Sequence, residues 1–192
     1  MMKTVLGFSG PDYPEAVIRP AYVLVGPPGV GKTTIGKLLA ERLELLHQDS
    51  DDAVVAASGM SIPQIFEVYG EPEFRSREVV AVCTLLNNFN GVVSMGGGAV
   101  LAAETQQALA DYKLNGGLVV YLDMSADTAA FRLHDGGRPL LSGENAFAKW
   151  RHLTDSRRTT YSLVSSFQVD TSSLTPFQVV EQILMFKDLQ CR

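Results

Sequence analysis

The sequence predicts an α/β fold, a three-layer sandwich around a central, mainly parallel sheet. Three observations carry this. Short apolar runs at 21–25, 92–95 and 118–122 alternate with stretches of helical periodicity. The runs lack a polar alternation, as strands covered on both faces do. Two glycine-rich segments, 26–31 and 96–98, each follow such a run directly, which puts both at the carboxyl edge of the sheet, where ligands of these folds bind.

Residues 1–20 read as a loose tail or a surface strap. Their apolar part (Val5, Leu6, Phe8) is broken by Gly7, Gly10, Pro11 and Asp12, too soon for a secretory core. Residues 21–192 read as one domain. Ala21-Tyr22-Val23-Leu24-Val25 is a buried strand, and Ile35, Leu38, Leu39, Leu43 and Leu46 then recur at helical spacing. A second strand is expected to end near Asp49. Helices follow near 51–58 and 62–69, punctuated by Gly59 and Gly70. Phe74, Ala81, Val82, Leu85, Leu86 and Phe89 mark one face of a longer helix over about 72–89. Val92-Val93-Ser94-Met95 is a strand stopped by glycines, and a helix over 103–111 leads to the strand Leu118-Val119-Val120-Tyr121-Leu122. Ser125 caps a helix over 126–133. Residues 134–143 carry two adjacent glycines and Pro139, so they read as a loop, followed by a long helix over 144–164. After a short strand, Phe167-Gln168-Val169, the last helix opens with Thr175-Pro176-Phe177-Gln178: a capping threonine, a proline in the first turn and a glutamine three residues on.

Composition narrows the function classes. A chain of 192 residues buries roughly 70% of its unfolded surface, enough for a real core. The net charge of −5, with no basic block, argues against a nucleic-acid partner, which needs a cationic face. No apolar run approaches the roughly 20 residues of a membrane helix. Cys83 and Cys191 stand far apart and form neither a disulfide framework nor a metal-ligand pattern. Cys83 lies in an apolar helical pattern and reads as a small buried hydrophobe. A cytoplasmic monomer is the expectation.

The strongest motif is Gly26-Pro27-Pro28-Gly29-Val30-Gly31-Lys32-Thr33, a complete phosphate-binding loop between a strand and a helix. Its glycines let backbone N–H groups converge on phosphate oxygens, and the helix adds its positive end. Lys32 reaches the β- and γ-phosphates, and Thr33 offers a hydroxyl to Mg²⁺. The motif implies a nucleoside triphosphate but not its use.

Asp49-Ser50-Asp51-Asp52 offers a division of labour. One carboxylate would organise Mg²⁺ while another takes a proton from a substrate hydroxyl; capping the next helix explains the same residues equally well. Spacing alone does not separate Asp51 from Asp52 as the proton acceptor. Asp123, at the end of an apolar strand, resembles a magnesium ligand but reads better as a turn cap. Arg75 and Glu78, three apart on a helix, can touch, and beside an anion pocket Glu78 would hold Arg75 for a carboxylate. Gly96-Gly97-Gly98 removes side chains where backbone meets a ligand. Arg138-Pro139 sits in the 134–143 loop, which suits a lid bringing a cation to the transferring group. Arg157 and Arg158 follow, and Arg158 reads as part of a solvated face.

Together these residues resemble the shikimate kinases. The phosphate loop, Asp49-x-Asp51, Gly59 with Ser61-Ile62 and Ile65-Phe66, and Gly70-Glu71 with Phe74-Arg75-x-x-Glu78 recur there in this order. Gly96-Gly97-Gly98, Arg138-Pro139-Leu140-Leu141, and Arg157 four before Tyr161 continue the series to the end of the chain. The resemblance implies a nucleoside monophosphate kinase-like fold with a mobile lid over about 134–143. It implies transfer of the ATP γ-phosphate to the 3-hydroxyl of shikimate, with Mg²⁺. It also implies that Asp51 binds the shikimate hydroxyls and that Asp49 and Thr33 serve the metal. Arg75 and Arg157 would hold the substrate carboxylate in a pocket shared with Gly96, Gly97, Gly98, Phe66, Phe74 and Glu78. ATP would meet Gly29, Val30, Gly31, Lys32, Thr33 and Thr34, with Arg132 and Pro176 against the adenine and Arg138 on the moving phosphate. Asp52 stands where the family carries a non-acidic residue. The alternatives weighed are a gluconate or nucleotide kinase-like enzyme of the same fold, and a kinase-derived binding module that no longer turns over.

Overall fold

The computed structural model describes residues 19–135 and 146–190. Five strands, β1 (Tyr22–Val25), β2 (Leu46–Asp49), β3 (Gly91–Ser94), β4 (Leu118–Asp123) and β5 (Phe167–Asp170), form one sheet in the order β2-β3-β1-β4-β5. Every pairing is parallel. The seven α-helices among the described residues are α1 (Lys32–Arg42), α2 (Ser50–Ser58), α3 (Ile62–Asn88), α4 (Ala103–Leu114), α5 (Ala126–Asp135), α6 (Ala146–Val164) and α7 (Pro176–Gln190). The expected α/β sandwich is therefore present, and its sheet is wholly parallel.

The two faces of the sheet are covered by different helices. Alternate side chains of a strand point to opposite faces. Tyr22 and Leu24 of β1 accordingly join Ile35 and Leu39 of α1 and Val179, Val180 and Ile183 of α7 in one cluster. Val23 and Val25 join Val82, Leu85 and Leu86 of α3, Leu109 and Tyr112 of α4, and Tyr161 and Val164 of α6 in the other. A third, smaller cluster (Val54, Ile65, Phe74, Ala81) binds α2 to α3. The three central strands are the ones that read as apolar runs. The edge strands β2 and β5 are only partly buried, and β2, Leu-His-Gln-Asp, has no apolar run to announce it.

Several sequence expectations change in detail. Leu46, whose spacing places it on the first helix, instead opens β2 and is exposed. The helix stops at Arg42 because Glu44 turns left-handed at φ 56° and the Leu45 N–H bonds back to the Ala40 carbonyl at 2.9 Å. The two helices expected over 62–69 and 72–89 run on as α3, but Gly70 interrupts the helical backbone at φ 81°, ψ 174°, so the predicted break is real. Cys83 is half-buried, not buried, because it lies on the flank of α3 and not on its core stripe. The helix expected to end at 133 runs to Asp135, so the first two residues of the expected 134–143 loop are helical; the rest of that loop, Arg138 included, lies outside the described residues. Of the N-terminal segment, residues 1–18 also lie outside them, but Pro20 is buried and its carbonyl accepts from the Tyr112 hydroxyl at 2.9 Å. Ser125 and Thr175 cap as expected: Ser125 Oγ accepts the Thr128 N–H, and Thr175 and Gln178 form the reciprocal box.

All five strands run the same way, so their carboxyl ends share one edge. That edge carries the phosphate loop after β1, Asp49 at the end of β2, the triple glycine after β3, Asp123 at the end of β4 and Thr171 after β5.

Candidate active site

The nucleotide end is built mainly from backbone. Gly26, Gly29 and Gly31 have φ of 144°, 87° and 101°, angles that β-carbon-bearing residues rarely adopt, so the loop between β1 and α1 requires glycine there. Lys32 arches back over it, its Nζ donating to the Gly26 and Pro27 carbonyls at 2.7 and 3.0 Å. The Trp150 indole, fully buried, donates to the Pro28 carbonyl at 2.8 Å and ties α6 to the loop. Beside the loop lies a cavity of about 320 Å³, lined by Gly29, Val30, Gly31, Thr34, Arg132 and Pro176, all expected on the ATP side, together with Thr171, Leu174 and Val179. Arg132 spans it, donating to the carbonyls of Val30 at 3.3 Å and Thr171 at 3.0 Å. Arg132, expected against the adenine, thus lies across the carbonyls of the phosphate loop and of Thr171.

Asp49 marks the junction with a second cavity. Its Oδ2 accepts from the Thr33 hydroxyl at 2.8 Å, and its Oδ1 caps α2 by accepting the Asp51 N–H at 3.0 Å. The capping and metal-side readings of Asp49 are thus compatible, one oxygen each. The donor set of one hydroxyl and one carboxylate is hard and oxygen-only, which fits Mg²⁺ held by few protein ligands plus phosphates and water. Among the described residues, no cluster of three or more His, Cys, Asp or Glu that could hold a metal ion is found.

The second cavity, about 490 Å³, is lined by Lys32, Thr33, Asp49, Asp51, Phe66, Phe74, Arg75, Glu78, Gly96, Gly97, Gly98 and Arg157, so it gathers the expected acceptor-site residues from four separate stretches of chain. Asp52 points to solvent. Of the two aspartates, Asp51, which the family resemblance favours, is the one that lines the cavity. Asp51 Oδ1 is buried and has no hydrogen-bond partner. Burial, then the neighbouring charges of Asp49 and Glu78, push its carboxyl up to about 6, against the pull of Lys32 and Arg75. A carboxylate so tuned is suited to take a proton near neutral pH.

Arg75 is held from two sides. Glu78, almost wholly buried, accepts from Nη1 at 2.7 Å; Glu71 Oε1 accepts from Nε and Nη2 at 3.3 and 3.1 Å. The guanidinium also lies 5.1 Å from the centroid of Phe74, which packs against Phe66 at 4.9 Å. Burial raises the Glu78 carboxyl and Arg75 draws it back, with a net shift upward. From α6, Arg157 Nη1 and the buried Tyr161 hydroxyl both donate to the Gly97 carbonyl, at 3.2 and 2.5 Å.

Each member of the triple glycine answers a different neighbour. A β-carbon on Gly96 would lie 2.6 Å from Glu78 Oε1 and 2.7 Å from Asp51 Oδ1; one on Gly98 would lie 2.5 Å from Arg75 Nη1; one on Gly97 would press Pro28 at 3.2 Å. The expectation was close approach to a ligand. The structure adds that the charged side chains of the site already approach this closely. Gly96 N–H is also pinned by the Ser50 hydroxyl at 2.8 Å.

Away from the site, the expectation for Arg158 is revised, while Asp123 caps its turn as expected. Arg158 is not merely a solvated charge: it ion-pairs with the buried Asp123, which also accepts from Gln168 Nε2 and from the Met124 N–H of its own turn. Asp123 is thus a turn cap and a salt-bridge partner, and it does not line the second cavity. Sequence reasoning missed Thr171, Leu174 and Val179 on the nucleotide side, and Ile62, Glu71, Met95 and Leu153 on the other. Leu153, Ile62 and Glu71 were findable, since each stands four residues before a predicted site residue on its helix. Val179, three residues after Pro176 on α7, carries the same signal, whereas Thr171 and Leu174, of ordinary types after an edge strand, do not.

A family model described as Shikimate kinase matches residues 28–187. A shikimate kinase of Streptomyces avermitilis is 43% identical over 166 residues, covering 86% of this chain and 94% of that protein. One of Corynebacterium efficiens is 41% identical over 167 residues, covering 86% and 95%. Among solved structures, shikimate kinase from Acinetobacter baumannii in complex with shikimate superposes with a TM-score of 0.78 at 33% identity, covering 90% of this chain and 94% of that one. The span of the family model takes in the residues lining both cavities. On sequence and fold together, this chain belongs to the shikimate kinase family.

Proposed function

We propose that the chain transfers the γ-phosphoryl group of ATP to the 3-hydroxyl of shikimate, giving shikimate 3-phosphate and ADP. One observation carries this reading: Asp51, with an unpartnered and proton-hungry carboxyl oxygen, lines the same cavity as Lys32 and Thr33 of the phosphate loop and the cations Arg75 and Arg157. That is the arrangement needed to hold an acid by its carboxylate and present its hydroxyl to a nucleotide.

In this mechanism the loop N–H groups and Lys32 bind the phosphates, and Lys32 compensates charge that grows as the phosphoryl group moves. The cavity beside Arg132, Thr171 and Pro176 takes the base. Arg75, fixed by Glu78, and Arg157 orient the acid. Asp51 accepts the hydroxyl proton as the new P–O bond forms and the bond to the ADP oxygen breaks. Thr33 and Asp49 would hold Mg²⁺, which when bound supplies charge neutralisation at the phosphates. Arg138, outside the described residues, is proposed from the sequence as the cation that a lid delivers. Its replacement by alanine is expected to cost about 10³-fold in turnover.

The test is ADP release with Mg-ATP and, in turn, shikimate, gluconate and nucleoside monophosphates. Release with shikimate alone is the expected result. Release with another acceptor instead would overturn the substrate, and release with none would favour the binding-module alternative.

A further inference from the structure

Glu71 belongs to no step of the mechanism above, yet it lines the acceptor cavity and touches its central cation. Arg75 does not need it for orientation. Glu78 already holds Nη1 at 2.7 Å from a buried position, Gly98 lies so near that a β-carbon there would come within 2.5 Å of Nη1, and the Phe74 ring lies beside the guanidinium. Glu71 adds a single oxygen across Nε and Nη2, the side-on fork that an incoming carboxylate would engage in a bidentate way. Its bonds are longer, 3.3 and 3.1 Å, and its side chain is 62% exposed. An ion pair this exposed is weak. Glu71 also stands directly after the helix break at Gly70, at the start of a helical stretch, where a carboxylate is favoured with or without Arg75. Releasing the arginine therefore costs it little.

Charge points the same way. The cavity wall carries four carboxylates, Asp49, Asp51, Glu71 and Glu78, against three cations, Lys32, Arg75 and Arg157. An anion entering such a pocket gains if one of those carboxylates withdraws, and Glu71 is exposed enough to swing into water, whereas Glu78 is held in the interior.

The geometry points to Glu71 as an internal competitor: its carboxylate occupies the Arg75 fork and is displaced when the carboxylate of the acceptor binds. This rests on the proposed role of Arg75 as the acceptor's carboxylate partner. The contact keeps the fork from other anions and sets the acceptor affinity below what the pocket would otherwise provide.

Calorimetric titration of shikimate into the full-length protein tests it, comparing the parent with Glu71→Gln and Glu71→Ala. Both variants should bind about two- to five-fold more tightly at low salt, with the gain appearing in KM and not in kcat, and the advantage should shrink as added salt screens the pair. Unchanged or weaker binding in these variants would overturn the proposal and make Glu71 an anchor. Arg75→Ala separates the two levels. If Arg75→Ala leaves shikimate affinity intact, the reading of Arg75 itself fails. If it weakens binding while neither Glu71 variant tightens it, only the competitor role falls. In the Arg75→Ala background, Glu71→Gln should add no gain.

Discussion

The nucleotide cradle and the acceptor pocket share Lys32 and one sheet edge, yet they are built from different materials. The cradle is backbone curled through left-handed glycines, tied by neutral hydrogen bonds from Trp150 and by Arg132 lying across its carbonyls. The acceptor pocket is a lattice of charges. Two of its carboxyls, Asp51 and Glu78, are pushed above their ordinary range by burial, and glycines stand where any β-carbon would strike a charged group. A cradle of backbone grips what every such nucleotide shares. A pocket of side chains held against their solvation preference selects one acceptor and activates it, and it gives up stability to do so.

Substitutions can break or sharpen this contrast. The largest expected effect is that of Arg75→Ala, which strands Glu78 and removes the carboxylate fork. Shikimate affinity should fall by about 2–5 kcal/mol while ATP affinity, measured separately by calorimetry, stays near the parent's. Loss of both affinities together would erase the division between the two regions.

Asp51→Asn should stabilise the protein. The Asp51 carboxyl sits above its unfolded value, so the folded chain keeps a proton that the unfolded chain has lost, and this contribution fades as pH rises through about 6. At pH 7 the charged group is a net cost of at most about 3 kcal/mol, which the amide relieves. Denaturant melts at pH 7 and pH 4 should show the gain at the higher pH and little at the lower. The same titration should lower turnover as pH falls below about 6, because Asp51 is then protonated and cannot accept the hydroxyl proton.

Gly96→Ala should cost about 1–3 kcal/mol through overpacking against Asp51 and Glu78, seen as a higher KM for the acid. Tyr161→Phe, which deletes one of two donors to the Gly97 carbonyl, should cost about 1 kcal/mol in thermal stability, with a small rise in the same KM. Smallest is Arg132→Ala, expected to raise the KM for ATP a few-fold and leave the acid untouched; an equal effect on both substrates would contradict the separation of the cavities.

The two regions also differ in how legible they are in the sequence. The cradle is a contiguous motif whose glycines state their own reason, and the central strands announce themselves because both faces are buried. The edge strand β2 does not: Leu46 continues the leucine spacing of α1, and the left-handed Glu44 that ends the helix carries no residue-type signal. The acceptor pocket draws on β2–α2, α3, the segment after β3 and α6, so no local pattern assembles it. On local spacing alone Asp51 and Asp52 are equivalent; the family resemblance favours Asp51, and in the fold that side chain lies against Gly96 while Asp52 is exposed. Arg158 looked solvated because its partner, Asp123, lies on another element entirely.

The most direct test of the account is Asp51→Asn measured for binding and turnover together. The account predicts that Mg-ATP and shikimate still bind within a few-fold of the parent, while ADP release falls by about 10²–10⁴-fold. Turnover within ten-fold of the parent, with both ligands bound, would contradict it.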